Sequence, residues 1–138
     1  MPLFEQVLDK YPDNVKIVFK HYPLSFHQQA MPAALASMAA GEQGKFWEYH
    51  DELFLQQGKL YNDKYIEIAQ NMNLDMKKFS LDMMRPSIRK KVEQDIADGE
   101  KAGISGTPVI FVNGRELKKR ELGAISKLID DELARLKK

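Results

Sequence analysis

The segment Gly103–Arg115, with sequence GISGTPVIFVNGR, places the tightest limits on how this chain can fold. Thr107-Pro108 predicts a turn that leads directly into an apolar strand over Val109–Val112. Asn113-Gly114 then closes the strand with a dipeptide favoured in two-residue hairpins. The segment therefore predicts a turn, a strand and a hairpin in succession.

Upstream of this segment, the pattern changes from one helix to one strand and then to a series of helices. Apolar residues at helical spacing predict a helix from Leu3, which ends at Tyr11–Asn14. The β-branched and aromatic segment Val15–Tyr22 predicts a strand that Pro23 ends. Strong helix formers predict a helix at Ala33–Ala40. Further helices are predicted at Phe46–Phe54, Tyr65–Met72, Asp75–Leu81, from Pro86 to a stop near Gly99–Gly103, and at Leu122–Leu136.

The chain resembles the DsbA-like thiol-disulfide oxidoreductase family from end to end. Four segments carry this resemblance, in the family's order: Leu3–Pro12, Val18–Leu24 with His27 and Ala30 following, Ala40–Phe54, and Gly103–Arg115. The resemblance implies an α/β fold class, namely a thioredoxin-like fold with an inserted helical subdomain and its first strand missing. It also implies a single domain over residues 1–138, with the insertion at about 29–102.

The same resemblance shows which part of the family's active site this chain lacks. Family members carry a Cys-x-x-Cys pair at the start of the helix that here begins near Leu3, and this chain contains no cysteine. We therefore expect no catalytic residue in it. The resemblance further implies a cis peptide bond at Thr107-Pro108, with Gly106, Thr107 and Pro108 binding substrate. A fragment, a misassigned start and a natural truncation are all compatible with the absence of the family's first strand and Cys-x-x-Cys motif.

Metal, cofactor, nucleic-acid and membrane binding are not predicted. The three histidines, His21, His27 and His50, match no standard zinc spacing, and His50 is expected to pack in the core. Charge is nearly balanced, at 21 basic and 20 acidic side chains, which does not favour nucleic acid or an anionic membrane surface. No stretch is apolar enough for a membrane span, and the start does not resemble a signal peptide.

The expected partners are extended protein or peptide segments and further copies of this chain. In the family's sheet, the absent strand lies between the strand at Lys16–Tyr22 and the strand at Val109–Val112. Unpaired backbone groups on two such strands are costly, at about 1–3 kcal/mol each when buried. Either these two strands pair directly, or a homo-oligomer forms by strand addition or segment exchange, which we expect.

Two functions remain open from the sequence. The chain is the body of a thiol-disulfide oxidoreductase that exchanges disulfides in extracytoplasmic protein substrates, redox-inactive without its cysteines. Alternatively, it is a complete, redox-dead module that binds extended peptides or a partner chain. The family is typically periplasmic or extracytoplasmic, and the chain itself does not indicate a compartment.

Overall fold

Seven helices and one short hairpin make up the regular structure of the residues that the structure describes. The structure is a computed structural model that describes residues 2–24 and 27–137, with Asn62 described by its backbone only. Within these ranges, no helix is both long enough and apolar enough for a membrane span. The elements are α1 (Pro2–Lys10), α2 (Ala30–Gly41), α3 (Phe46–Leu55), α4 (Asn62–Asn71), α5 (Met76–Met83), α6 (Pro86–Lys101), β1 (Phe111–Val112), β2 (Arg115–Glu116) and α7 (Leu122–Leu136).

The helices confirm the positions predicted from apolar spacing and, for α2, from strong helix formers, and several ends have identifiable causes. Asp75 caps α5, because its side chain accepts a hydrogen bond from the Lys78 backbone at 3.1 Å. Pro86 occupies the first turn of α6, where its missing N–H has no helical partner to lose. Helix α4 ends with Asn73 in the left-handed conformation, at a φ of 58°, which returns the chain from the helix.

The chain divides into two compact units, which we call the hairpin unit and the helical unit. The hairpin unit comprises residues 1–19 and 106–138, and the helical unit comprises residues 20–105. The helical unit is thus inserted, in sequence, between the two parts of the hairpin unit. The insertion predicted at about 29–102 falls inside it.

In the hairpin unit, α1 and α7 pack on each other and on the hairpin. Their shared core is built around five buried side chains, Val7, Tyr11, Leu117, Ile125 and Ile129. The Tyr11 hydroxyl also donates a 2.7 Å hydrogen bond to Asp130 on α7. The apolar stripes predicted for the first and last helices therefore cover each other.

The helical unit is organised around α2, which is apolar on most of its surface. Ala36, Ala39 and Ala40 are fully buried, and their small side chains allow neighbouring helices to approach closely. One cluster joins α2 to α3, α4 and α5 through Tyr49, Tyr65 and Phe79, among others. A second cluster joins α2 to α6, and its buried members are Ala34, Leu35, Ile88 and Val92. A helix of this composition is stable because every face is covered.

The prediction of a strand over Val15–Tyr22 is wrong. These residues belong to no β-ladder, and the only sheet in the described ranges is the β1–β2 hairpin. Residue type favours extended backbone, but a strand also needs a neighbour to accept its hydrogen bonds. For the same reason the strand predicted over Val109–Val112 is reduced to Phe111–Val112. Direct pairing of these two segments, one of the two expected outcomes, does not occur in this structure.

Candidate functional site

The loop Gly106–Pro108, predicted to bind substrate, lies immediately before the hairpin and is accessible to solvent. Thr107 and Pro108 are exposed, Gly106 is half-buried, and the peptide bond between Thr107 and Pro108 is cis. The three residues are consecutive at the start of the second part of the hairpin unit. We call them the docking loop.

The hairpin that follows is fixed by its turn. Asn113 and Gly114 have φ values of 47° and 84°, as a type I′ turn requires, and Val112 pairs with Arg115 across it. The Asn113 side-chain amide also lies 3.5 Å from Glu132 on α7. The hairpin predicted from Asn113-Gly114 is therefore confirmed, and its register pairs Phe111 with Glu116 and Val112 with Arg115.

This register determines which backbone groups of β1 lie at its open edge. Phe111 faces Glu116, and the Leu117 N–H donates to the Ile110 carbonyl at 2.8 Å. Successive residues of an antiparallel strand direct their backbone groups to opposite sides. Ile110 and Val112 therefore pair with β2, whereas the N–H and C=O of Phe111 are directed toward the other edge. In the described residues no strand pairs with that edge.

The two faces of this strand also differ. Ile110 and Val112 are half-buried against the core of the hairpin unit. Val109 and Phe111 alternate with them and are 37% and 42% exposed. The segment that follows the docking loop thus offers both an open hydrogen-bonding edge and exposed apolar side chains.

The residues before the docking loop are held at Ile104. Helix α6 ends in a Schellman motif, in which Gly103 has a φ of 78° and the Ile104 N–H donates to the Gly99 carbonyl at 3.0 Å. The Ile104 carbonyl in turn accepts a hydrogen bond from the Tyr22 hydroxyl at 2.8 Å. Both backbone groups of Ile104 are therefore bonded within the helical unit.

Tyr22 belongs to a short segment, Lys20–Tyr22, that lies against α6. The His21 N–H donates to Asp95 at 3.0 Å, and Lys20 lies 3.3 Å from Asp98. The Tyr22 ring packs on Gly99, where a Cβ would lie only 2.7 Å from Cε1 of that ring. The sequence pattern predicts Gly99 only as part of the end of α6. A glycine inside a helical pattern is a recognised sign of close approach, and here Tyr22 is what approaches.

Asp95 is the charged centre of this contact and is almost completely buried. Lys91 donates to it at 2.8 Å, and Lys20 lies 3.7 Å away. Burial alone would raise the pKa of Asp95, but hydrogen bonds from Lys91 and from the His21 backbone hold it below its ordinary value. The carboxylate is therefore charged near neutral pH, and its role is to fix the backbone of His21.

The three histidines are placed differently, and the described residues do not bring them together as a metal site. His21 is buried, with burial as the main reason that its pKa is lowered to about 4. His50 is buried on α3, as predicted, with Nδ1 3.2 Å from Asp51, whereas His27 is exposed. Among the described residues, no group of three or more His, Asp or Glu side chains could hold a metal ion.

Comparison with known proteins identifies the fold. A family model described as thioredoxin matches residues 2–131. The crystal structure of a thioredoxin-like oxidoreductase from Silicibacter pomeroyi DSS-3 superposes with a TM-score of 0.86 at 27% identity, covering 97% of this chain and 77% of that one. These matches show a thioredoxin-like fold with a helical insertion and a reduced sheet.

Curated relatives that match this chain have a different name and a much greater length. A Na(+)/H(+) antiporter NhaA 1 from Salinispora arenicola is 37% identical over 103 residues, which is 74% of this chain and 16% of the antiporter. A Na(+)/H(+) antiporter NhaA from Herminiimonas arsenicoxydans is 35% identical over 108 residues, or 78% and 17%. The chain thus spans about a sixth of the length of these relatives.

Proposed function

The chain belongs to the thioredoxin family, and from this membership we propose that it is the substrate-docking body of a DsbA-like thiol-disulfide oxidoreductase. Its role is to hold an extended polypeptide segment against the docking loop and the open edge of β1. Disulfide exchange in that segment is the family's chemistry. The substrates proposed are proteins outside the cytoplasm.

The observation that carries this proposal is the open edge of β1, next to the exposed docking loop. Phe111 directs an N–H and a C=O toward that edge, and no strand of the described residues pairs with them. A second extended chain can satisfy such groups by strand addition, in which backbone hydrogen bonds provide affinity for many sequences. Broad recognition of unfolded segments is what a disulfide-exchange protein requires.

Side chains beside the edge favour apolar residues in the bound segment. Val109 and Phe111 are both more than a third exposed and lie on the same side of the strand. Burying an apolar side chain against them contributes about 25 cal/mol per Å². Alternation along the strand then predicts a preference for apolar residues at every second position of the ligand.

The thiol chemistry itself needs a group that this chain does not contain. Exchange proceeds by attack of a thiolate on a disulfide, through a mixed disulfide. The chain has no cysteine, so the attacking thiolate has to come from another polypeptide segment. We therefore propose that the chain binds substrate and is redox-inactive as it stands.

Binding is tested with a fluorescein-labelled peptide of about ten residues, in which valine alternates with serine. Fluorescence anisotropy measures its affinity for the wild-type chain. Amide hydrogen exchange measured by NMR then locates the contact. Slower exchange of the Phe111 amide on peptide addition, with the Val112 amide unchanged, is the expected result, because only the former is directed toward the open edge.

A pair of variants separates the backbone edge from the side chain. Phe111→Pro removes the N–H at the open edge without removing a β1–β2 hydrogen bond. Phe111→Thr is the control, because it loses the same ring and keeps the N–H. We expect Phe111→Pro to bind the peptide at least about fivefold more weakly than Phe111→Thr, consistent with one lost hydrogen bond. Equal affinities, in variants shown to be folded by circular dichroism, would refute binding through this edge.

The same open edge supports self-association by strand addition or segment exchange. An unpaired strand edge is a template for a second copy of the chain as well as for a substrate. Light scattering at micromolar concentration is expected to show a homo-oligomer that Phe111→Pro weakens. A monomer over the whole concentration range would contradict this part of the proposal.

A second candidate function is a redox-independent binding module, which the absence of cysteine favours. Both functions use the same docking surface, so peptide binding does not separate them. The coding sequence immediately upstream of the Met1 codon does, because an in-frame Cys-x-x-Cys there supports the oxidoreductase. The much longer relatives are named as Na(+)/H(+) antiporters, and ion transport is not proposed for this chain.

A further inference from the structure

The docking loop is preceded and followed in sequence by residues whose backbone groups are hydrogen-bonded, namely Ile104 and Ile110. On one side, Ile104 is bonded through both its N–H and its C=O. On the other side, the next residue with a hydrogen bond in the described structure is Ile110, whose carbonyl accepts from Leu117. No hydrogen bond of the described residues involves 105–109. The conformation of the loop therefore depends strongly on how firmly Ile104, the bonded residue before it, is held.

Tyr22 contributes the only side-chain bond in the described residues to the first of these residues. Its hydroxyl donates to the Ile104 carbonyl at 2.8 Å, and the two residues are 82 positions apart in sequence. The Schellman motif fixes the Ile104 N–H but leaves the carbonyl, which begins the peptide unit leading to Ser105, without a helical donor. Tyr22 thus restrains the peptide unit that enters the loop.

The tyrosine is itself restrained, so that its hydroxyl occupies a defined position. Its ring is packed against Gly99, with no space for even a methyl group between them. The preceding residue is held by the hydrogen bond from the His21 N–H to the buried Asp95 carboxylate. A donor held at both backbone and ring transmits its position to the group that it binds.

We propose that Tyr22 is a positioning residue for the docking loop, acting through the Ile104 carbonyl. The inference rests on the proposed function, because it assigns Tyr22 a role in presenting Gly106–Pro108 to an extended polypeptide. Tyr22 does not touch that polypeptide in the proposal. It limits the conformations of the loop before binding, so that less ordering is required when the segment docks.

Tyr22→Phe tests this with the loss of a single oxygen atom. Tyr49→Phe is the matched control, because the Tyr49 hydroxyl also donates to a backbone carbonyl of the helical unit, that of Tyr65 at 3.0 Å. Both variants lose one hydrogen bond of similar length, but only Tyr22 is bonded to Ile104, the residue that leads into the docking loop. A loss of overall stability affects both variants, whereas a loss of loop positioning affects one.

The first measurement needs no ligand. Backbone ¹⁵N order parameters of Ser105, Gly106 and Thr107, measured by NMR relaxation, are expected to fall from about 0.85 in wild type toward about 0.6 in Tyr22→Phe, and to remain unchanged in Tyr49→Phe. The second measurement is the anisotropy titration with the fluorescein-labelled valine-serine peptide. We expect Tyr22→Phe to bind it about threefold to tenfold more weakly than Tyr49→Phe.

The two measurements separate failure of this inference from failure of the proposed function. If wild type does not bind the peptide, the proposed function is wrong, and the order parameters still decide whether Tyr22 orders the loop. If wild type binds and the two variants bind equally, Tyr22 has no positioning role in docking. Unchanged order parameters at residues 105–107 in Tyr22→Phe would overturn the inference in either case.

Discussion

Replacing Gly99 with alanine is expected to destabilise this protein, although alanine is the better helix former. Gly99 lies within α6, and an added Cβ would lie 2.7 Å from Cε1 and 2.8 Å from Cδ1 of Tyr22. Carbon atoms in contact are ordinarily about 3.5–4.0 Å apart. The Tyr22 ring therefore has to move by roughly 1 Å, and its hydroxyl moves away from the Ile104 carbonyl.

Two opposing effects set the size of the change. Gly to Ala in a helix interior stabilises by up to about 1 kcal/mol. Overpacking costs about 1–3 kcal/mol, and loss of the Tyr22–Ile104 hydrogen bond costs about 1 kcal/mol more. The free energy of unfolding of Gly99→Ala is thus expected to fall by about 1–3 kcal/mol.

Urea unfolding followed by circular dichroism measures this change, and Gly123→Ala provides the matched control. Gly123 also lies in a helix, α7, but its added Cβ meets no atom within 4 Å. That variant is expected to be as stable as wild type or up to about 1 kcal/mol more stable. The two glycine substitutions should therefore change stability in opposite directions.

The same substitution in a protein that also lacks the Tyr22 ring shows whether that ring causes the loss of stability. In a Tyr22→Ala protein the obstructing ring is gone, so Gly99→Ala should become neutral or stabilising there. The reasoning is refuted if Gly99→Ala is as stable as wild type. It is refuted equally if the substitution destabilises both backgrounds by the same amount, because the cost would then not come from Tyr22.

Three further predictions follow from other parts of the chain. The pKa of His21 is lowered to about 4 by burial, so the unfolded state binds more protons between about pH 6.5 and 4, and stability should fall by about 3 kcal/mol as pH decreases through that window. Thermal melts at pH 7 and 5 should show a clearly smaller loss in His21→Gln, and equal losses in the two proteins would contradict the assignment. Asn73, at a φ of 58°, should give up to about 1 kcal/mol more stability as glycine and less stability as alanine, measured by urea unfolding, and a stabilising alanine would show that the left-handed backbone is not limiting. Finally, the purified chain should not accelerate the reduction of insulin disulfides by dithiothreitol, because it has no thiol; turnover that stays with the chain through further purification would disprove this.

Much of the helical structure could be predicted from the sequence, because most of the helices bury an apolar stripe that recurs at helical spacing and α2 consists largely of strong helix formers. The Asn113-Gly114 turn was predictable for a similar local reason, since its two positive φ values suit these residues. Such features depend on residues close together in sequence. They are therefore visible without knowledge of the fold.

The missed features depend on partners distant in sequence. Val15–Tyr22 has the composition of a strand, but pairing requires a neighbour, and none of the described residues provides one. The contact of Gly99 with Tyr22 and the buried carboxylate of Asp95 likewise join positions more than 70 residues apart. Of the candidate site, Gly106–Pro108 were expected from the family resemblance, whereas the contacts of Tyr22 with Ile104 and Gly99 were not predicted.

The hydrogen bond between Tyr22 and Ile104 also bears on how the chain tolerates so large an insertion. It joins residues near the first and last positions of the helical unit, which spans residues 20–105. When an insertion folds so that its own ends are close together, it adds little loop-closure entropy to the folding of the hairpin unit. The hairpin unit then has to close only a short connection and not a long flexible loop. Helices within the unit can therefore lengthen, shorten or be exchanged in evolution, provided that this one pair of ends remains together.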